Sequence, residues 1–336
     1  MQGKRVETAL KIGLLCSLMF ISCTKDDLLP QADNYIIIVN TISETLSFYD
    51  LDRDSLFEDF LTTGRTPNDL FMLENIGIIV NSGFQGMATL DMIDLPSRSL
   101  ISRKYLPTGS NPYSICYLNH RYYVTLSAYN KVYALSENFL PVDSIPVGKW
   151  PEGICAFENK IFIATTGFDI QNYTYGQGHI YVIDTNTSPT KVDSIEVSTN
   201  PQMVKVVDGS IWIMCTGDYG NTGGKFYRMD PATLTLEDSI SAELYPSDFI
   251  IYHGKILFTD LVNGIFSLTP EGEIDTIMAT IGPSRIILDG NRSLVSLFSA
   301  TSLNYILYID PERGEIIHTI PVGQAKGVGP IGVYRR

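Results

Sequence analysis

The sequence predicts an all-β protein, a seven-bladed β-propeller of four-stranded antiparallel blades. Two observations predict this fold: a motif recurs every 36 to 50 residues or so, and each chain end supplies only part of a blade. Repeats of this length are typical of propellers, whose small sheets bury a core only by stacking on their neighbours.

The recurring motif is a proline that follows a polar or glycine-containing turn and precedes an apolar run. It occurs at Pro67, Pro112, Pro151, Pro201, Pro246, Pro283 and Pro330. A tight turn and a second apolar run follow, and Asp208-Gly209, His253-Gly254 and Asp289-Gly290 supply the positive φ angles of hairpin turns. Third strands often end in a carboxylate that can bond the next turn, at Asp50, Asp94, Asp184, Asp230 and Asp310.

The chain ends predict how the ring closes. Residues 35–61 supply a second, third and fourth strand with no first strand before them, whereas 330–335 supply a first strand with nothing after it. Pairing the two would complete one mixed blade and remove exposed sheet edges.

Several short segments resemble the YVTN-repeat, or YncE-like, propellers. They include Tyr123-Val124-Thr125, Ile79-Val80-Asn81, Val182-Ile183-Asp184 and the Ile-Pro-Val-Gly runs that begin at Ile145 and Ile320. The resemblance spans nearly the whole chain after the leader. It departs from the family at the usual Ser-Pro-Asp-Gly turn, where shorter turns stand.

The N-terminus predicts export. Basic residues precede an apolar run, Ile12 to Ile21, that is too short to span a bilayer. Phe20-Ile21-Ser22-Cys23 resembles a lipobox, and Thr24 to Asp27 resembles the surface-export signal of Bacteroidota lipoproteins. We therefore expect a signal peptide at 1–22, a lipidated Cys23 with a tether to residue 33, and a propeller at 34–336, anchored in the outer membrane and exposed at the cell surface.

Composition excludes one class of partner. The net charge is −13 and no basic stripe is present, which argues against nucleic-acid binding. Beyond the leader, Cys116, Cys155 and Cys215 remain once Cys23 is assigned to lipid, and an odd number argues against a disulfide framework. The first two lie inside first strands, where we expect small buried hydrophobes.

No pattern for catalysis or for a metal is found. His120, His179, His253 and His318 fall in different blades, and we expect them on the surface. Asp50, Asp52 and Asp54 alternate as in a calcium loop but lack its glycine and its final glutamate, so we interpret them as a solvated turn. We predict no metal and no cofactor, and binding rather than catalysis. The sequence leaves open one alternative, acid–base catalysis by carboxylates that different blades bring together at the axis.

One face of the disc is predicted to recognise a ligand. Loops between second and third strands should emerge beside the anchor turns, and they are rich in aromatic rings and amides. The candidate ligand-binding residues are Arg65, Asn68, Phe84, Asn111, Tyr113, Tyr129, Trp150, Phe168, Asn172, Tyr173, Tyr175, Asn200, Tyr219, Tyr245 and Arg285. Further anchor-turn residues are expected near the axis: Lys149, Glu152, Gln202, Asp248 and Lys326. The alternative is that these loops only cover the disc.

Three functions compete. The resemblance to YncE-like surface lipoproteins implies capture of a small molecule, such as a corrinoid, for a TonB-dependent outer-membrane transporter. A second possibility is a protein-interaction platform in the cell envelope. A third is a propeller-type lyase or lactonase.

Overall fold

The computed structural model describes residues 33–187 and 191–336 and forms seven four-stranded antiparallel sheets. The predicted fold class is therefore confirmed. The predicted signal peptide, Cys23 and nearly all of the tether lie outside the described residues. Within the part of the chain that the structure describes, no helix is both long and apolar enough to cross a membrane.

The strands follow one another in a regular order. The chain begins with β1 (Asn34–Asn40), β2 (Thr45–Asp50) and β3 (Ser55–Thr62). Blade 1 contains β4 (Pro67–Leu73), β5 (Ile76–Asn81), β6 (Thr89–Asp94) and β7 (Ser99–Tyr105). Blade 2 contains β8 (Pro112–Leu118), β9 (Arg121–Leu126), β10 (Lys131–Ser136) and β11 (Pro141–Pro146), with a 3-10 helix at Ser127–Tyr129.

Blade 3 has a separate two-stranded ribbon in the loop between its second and third strands. It contains β12 (Pro151–Phe157), β13 (Lys160–Thr165), β16 (Gly178–Asp184) and β17 (Lys191–Val197), and the ribbon is β14 (Phe168–Asp169) with β15 (Thr174–Tyr175). Blade 4 contains β18 (Pro201–Val207), β19 (Ser210–Cys215), β20 (Lys225–Met229) and β21 (Leu236–Ser241).

The last blades complete the ring. Blade 5 contains β22 (Pro246–Tyr252), β23 (Lys255–Asp260), β24 (Gly264–Leu268) and β25 (Ile274–Met278). Blade 6 contains β26 (Pro283–Asp289), β27 (Arg292–Leu297), β28 (Leu303–Asp310) and β29 (Glu315–Gln324). The final strand, β30 (Val328–Arg335), pairs with β1 to complete blade 7 in the order β30, β1, β2, β3.

Closure follows the predicted pairing. β30 runs antiparallel to β1, with Tyr35 opposite Tyr334 and Ile38 opposite Ile331. Both tyrosines are buried, and their ring centroids are 5.1 Å apart. The first and last strands of the propeller therefore share one sheet.

The hydrophobic core lies between blades. One cluster joins Ile78 of blade 1 to Val124 of blade 2, and another joins Phe162 of blade 3 to Ile211 of blade 4. These residues are 0% exposed. Each sheet buries its apolar faces only against its neighbours, as expected for repeats that cannot fold singly.

The predicted strand-end aspartates and hairpin turns are confirmed, except that one hairpin turn is displaced by a residue. Asp230 Oδ1 accepts hydrogen bonds from the backbone of Ala232 and Thr233, both at 2.8 Å, and the other strand-end aspartates bond the following turns in the same way. The third predicted hairpin turn is displaced by one residue. Asp289 ends β26, so the turn is Gly290-Asn291, where Gly290 has a φ of 62°.

The anchor turns and the loops after second strands share one face, as predicted. Thr166 N–H donates to Trp150 O at 3.1 Å, and Thr216 N–H donates to Asn200 O at 2.9 Å. Equivalent bonds recur in other blades. This face, called the loop face below, carries most of the predicted binding residues.

Candidate functional site

A β-bulge lies near the start of every inner strand. The register between first and second strands shifts just after Pro67, Pro112, Pro151, Pro201, Pro246 and Pro283, and the pairing of β30 with β1 shifts at the matching place. Bulges re-aim the side chains beside them. Here they turn the residues that follow each anchor proline toward the axis.

These residues line an axial pocket of about 220 Å³, to which blades 1, 2, 3, 4 and 6 contribute. Its polar lining consists of Asp69, Tyr113, Ser114, Gln202, Lys205 and Arg285. Arg285 also spans the axis, because its Nη2 donates to Asn68 O of blade 1 at 3.2 Å. Burial lowers the pKa of Arg285, but Tyr113, Asp248 and Asp69 outweigh that effect and raise it.

Two axial aspartates hold neighbouring blades together. Asp248 Oδ2 accepts from Ile286 N of the next blade at 3.1 Å, and its Oδ1 lies 2.5 Å from Lys205 Nζ. Asp69 Oδ2 accepts from Ser114 Oγ at 2.5 Å, also in the next blade. Burial raises the pKa of Asp69. Their hydrogen bonds give both carboxylates a structural role.

Glu152 is different from these aspartates. It is 7% exposed, and its Oε2 has no hydrogen-bond partner among residues 33–187 and 191–336. Burial raises its pKa to about 8, against a side-chain hydrogen bond from Trp150 and the charge of Arg285, which lower it. A buried polar atom without a partner costs free energy and calls for an explanation.

Replacing Glu152 by Gln is expected to stabilise the protein increasingly as pH rises. The pKa of the Glu152 carboxyl is about 8 in the folded protein, whereas its ordinary value, which applies to the unfolded chain, is 4.5. Between those values the unfolded chain releases its proton first, so folding weakens by about 1.4 kcal/mol per pH unit. The amide of the Glu152→Gln variant cannot ionise and avoids that loss. The Tm difference between the two proteins should be small near pH 5 and largest near pH 9; a constant difference would contradict this.

Above Glu152 the loop face carries a continuous row of rings. This aromatic stripe consists of Trp150, Phe168, Tyr175, Tyr219 and Tyr245, with successive centroids 5.1, 5.1, 6.2 and 5.4 Å apart. Tyr173 contacts Phe168 at 6.1 Å and is 78% exposed. Such spacings are those of favourable aromatic pairs. Blades 3, 4 and 5 therefore share one continuous row of aromatic rings.

Asn200 supports the middle of the stripe. Its side chain is fully buried and donates from Nδ2 to Gly217 O at 2.9 Å. Burial raises the pKa of Tyr175 to about 12 and also raises that of Tyr219, and the Asn200 side chain lowers both. Gln202 likewise lowers the pKa of Tyr219. Asn200 therefore acts on both tyrosines of the stripe.

Glu152 acts electrostatically on both the stripe and the axial pocket. Its charge contributes to the raised pKa of Tyr113, which lines the pocket, and of Tyr175 and Tyr219 of the stripe, after burial as the largest cause. These rings come from blades 2, 3 and 4. Glu152 itself does not line the pocket.

Trp150 occupies a strained backbone position. Its φ is 56°, although it is bulky and precedes a proline, and both properties disfavour that region. Asn111 and Asn200 fill the matching positions with φ of 50° and 59°, which asparagine tolerates better. Asn111 serves as a turn residue, since its carbonyl accepts from Ser127 N–H at 3.1 Å.

Replacing Trp150 by Asn is expected to leave Tm within a few degrees of the native value. Relief of roughly 1–3 kcal/mol of backbone strain should offset the lost packing on Phe168, which is worth about 0.5–1.5 kcal/mol beyond its buried area. Thermal denaturation of this variant, with Trp212→Phe as the matched control, checks the prediction. A large fall in Tm would show that Trp150 is retained for stability.

Other predicted residues lie outside this site. Ring contacts among the described residues do not join Phe84 or Tyr129 to the stripe, and Tyr129 OH instead donates to Thr108 O at 2.9 Å. Asn172 is exposed, and Arg65 lies 3.8 Å from Glu44, a residue of the β1–β2 loop. Lys149 pairs with Asp169 at 3.1 Å.

The prediction for Lys326 is wrong. Its ammonium group pairs with Asp59 and lies 3.6 Å from Glu58, both on β3, the outermost strand of blade 7. Lys326 lies between β29 and β30, and its side chain turns outward to the carboxylates of β3 instead of toward the axis. Sequence reasoning also missed Asp69, Ser114 and Lys205. A polar residue inside an apolar first strand was the available signal.

The remaining candidates behave largely as predicted. His120 and His253 are exposed in hairpin turns, but Asp50 is fully buried and pairs with Arg53 at 2.7 Å, so only Asp52 and Asp54 form a solvated turn. Its burial follows from its place at the end of β2, where it bonds two turn amides. Cys116 and Cys215 are buried and Cys155 half-buried. Among the described residues no group of three His, Cys, Asp or Glu is placed to hold a metal.

The fold and the site define a seven-bladed propeller with a polar axial pocket beneath an aromatic loop face. No family model and no curated protein match the chain. A quinonprotein alcohol dehydrogenase-like protein from Bacteroides thetaiotaomicron matches 89% of this chain and 78% of its own, with TM-score 0.66 and 13% identity.

Two further solved structures are similar. Hydrazine synthase from Kuenenia stuttgartiensis matches 83% of this chain and 99% of its own, with TM-score 0.64 and 14% identity. Virginiamycin B lyase from Staphylococcus aureus matches 77% and 85%, with TM-score 0.59 and 15% identity. At such identities the likeness shows the shared propeller fold alone.

Proposed function

We propose that the protein captures a small-molecule ligand on its loop face. The observation that carries this proposal is the aromatic stripe, which leads to a buried carboxylate oxygen without a partner among the described residues. Apolar rings that surround a few convergent polar groups are the usual composition of a small-molecule site. A ligand body would lie along the stripe, and a polar group would reach Glu152.

The place of capture is part of the proposal. The N-terminal sequence supports a lipid anchor at Cys23 in the outer membrane, with the propeller at the cell surface. A ligand held there would have to cross the outer membrane. A TonB-dependent transporter is the partner that we propose for this step.

A corrinoid is the ligand that the YncE-like resemblance supports. Its broad ring would need an aromatic surface, and its side-chain amides would need polar partners such as Glu152, Asn200 and Gln202. Titration with cyanocobalamin tests this version directly. Absence of binding at micromolar concentration would exclude a corrinoid as the ligand, but it would not exclude capture of another small molecule on the aromatic stripe.

The role of the stripe itself is tested by Phe168→Ala and Tyr219→Ala, with Phe84→Ala as the matched control. Phe84 is 63% exposed and lies in a loop of blade 1, outside the stripe. Each stripe variant should weaken ligand binding at least tenfold, and the control should not. Equal effects in all three variants would overturn the assignment.

A protein-interaction platform is the second candidate, and one observation favours it. Tyr173 and Phe84 are 78% and 63% exposed, and large exposed rings are enriched at protein interfaces. Capture from detergent-solubilised outer membrane, with residues 167–178 deleted as the control, tests it. Because the deletion also removes Phe168 and Tyr175 of the stripe, loss of a captured transporter on deletion favours the platform when the intact protein binds no small molecule.

A further inference from the structure

Glu152 differs from the two aspartates near the axis in its hydrogen bonds. Asp248 is paired directly with Lys205, and Asp69 accepts a hydrogen bond from Ser114. Arg285 acts electrostatically on all three carboxylates. Glu152 is the one of the three that has a buried oxygen, Oε2, without a hydrogen-bond partner among the described residues.

The groups packed around Glu152 also suit a cation. Trp150 stands two residues before it, and the charge of Glu152 acts on Tyr113 of β8 and on Tyr175 and Tyr219 in the loops of blades 3 and 4. The faces of Trp and Tyr rings attract cations, most strongly when water is excluded. Arg285 is the one charged group of β26 that acts on Glu152, and it stays engaged with Asn68 O.

We propose that the captured ligand presents a protonated primary or secondary amine to Glu152, with the rings of Trp150, Tyr175 and Tyr219 around it. An N–H of the ammonium group would donate to Oε2, the oxygen that has no partner in the described part of the chain. This inference rests on the proposed capture function and specifies the chemical class of its ligand. A neutral amide, such as those of a corrinoid, could also donate to this oxygen and is the competing outcome.

The two ligand classes differ in their linkage to protons. The Glu152 carboxyl has a pKa of about 8, so near neutral pH most of it carries a proton. An ammonium ligand prefers the ionised carboxylate, and its binding expels that proton to the buffer. Its apparent Kd should therefore fall by up to tenfold per unit between about pH 6 and 8 and level off above. A neutral amide gains no comparable advantage from ionisation.

The probe is 2-phenylethylamine, with 2-phenylethanol as its neutral isostere. Aliphatic amines stay protonated up to about pH 10, so the charge of the probe is constant in this range. Calorimetry of the full propeller in two buffers of different ionisation enthalpy gives both Kd and the protons released. Quenching of Trp150 in a Trp212→Phe background reports binding at the proposed place.

We expect the amine to bind at least tenfold more tightly than the alcohol near pH 8.5 and to release close to one proton near pH 6.5. Glu152→Gln should abolish the proton release and most of the preference for the amine. Glu44→Gln is the matched control, because it removes a carboxylate from the β1–β2 loop of blade 7, outside the stripe, and should change neither.

Other outcomes overturn the inference in distinguishable ways. Equal binding of amine and alcohol without proton release would exclude the ammonium class and leave small-molecule capture intact. Binding of the amine that persists in Glu152→Gln would place the cation elsewhere. Absence of binding by amine, alcohol and cyanocobalamin alike would overturn the inference together with the proposed function.

Discussion

Removal of residues 328–336 is expected to abolish cooperative folding. These residues include β30, the inner strand of blade 7, whose Val328, Ile331 and Tyr334 are at most 6% exposed. Losing each such contact costs roughly 1.5–3 kcal/mol, and β1 would in addition lose one hydrogen-bonded neighbour. Typical domains are stable by only about 5–15 kcal/mol.

The measurement is thermal denaturation followed by circular dichroism, with size-exclusion chromatography to detect aggregates formed through the open edge. Deletion of Arg336 alone is the matched control, because Arg336 lies beyond β30. Adding a peptide of residues 328–336 to the truncated chain should restore a folded species. A truncated protein with a sharp transition within a few degrees of the native Tm would show that closure contributes little.

Replacing Lys205 by Met is expected to destabilise the propeller by roughly 1–3 kcal/mol, less than the loss of one partner from a fully buried ion pair, because the Lys205 side chain is 32% exposed. Lys205 Nζ lies 2.5 Å from Asp248 Oδ1 and 2.6 Å from Phe249 O, and 4.9 Å from the centre of the Phe249 ring. Asp248 is 3% exposed. Without Lys205, its negative charge would therefore be left without its ionic partner and with little solvation by water.

Asp248→Asn in the Lys205→Met background provides the control. The amide introduced by Asp248→Asn keeps an acceptor for the backbone of the next blade but carries no charge, so the double variant should be more stable than Lys205→Met alone. Urea unfolding of the native protein and of both variants gives the three free energies of unfolding. A loss below about 1 kcal/mol in Lys205→Met would show that solvent screens this pair as it screens surface pairs.

The structural and the binding roles of the axial residues are separable. Asp69 and Asp248 are engaged by neighbouring blades, whereas Glu152 Oε2 has no such contact among the described residues. Variants of the aspartates should therefore affect stability first. Variants of Glu152 should affect binding and the pH dependence of stability.

The sequence by itself determined the architecture. Pro67 and the five following anchors begin inner strands, and the seventh lies within β30, because a recurrent local signal is repeated along the chain wherever a blade begins. The sequence also determined how the ring closes. The strands at each end of the propeller can be counted, and the first strand missing at the N-terminal end is supplied by the additional strand at the C-terminal end. Aromatic loops such as 166–177 were visible from composition alone.

Only the tertiary structure decided which of those residues form a site. Trp150, Tyr219 and Tyr245 are distant in sequence, and their contacts depend on the angle between adjacent blades and on loop conformation. The axial set depends on a bulge near the start of each inner strand, which shifts side-chain direction by a residue and leaves no reliable mark in the sequence. Whether an axial carboxylate is paired, as Asp248 is, or lacks a partner among the described residues, as Glu152 Oε2 does, depends on neighbours contributed by other blades.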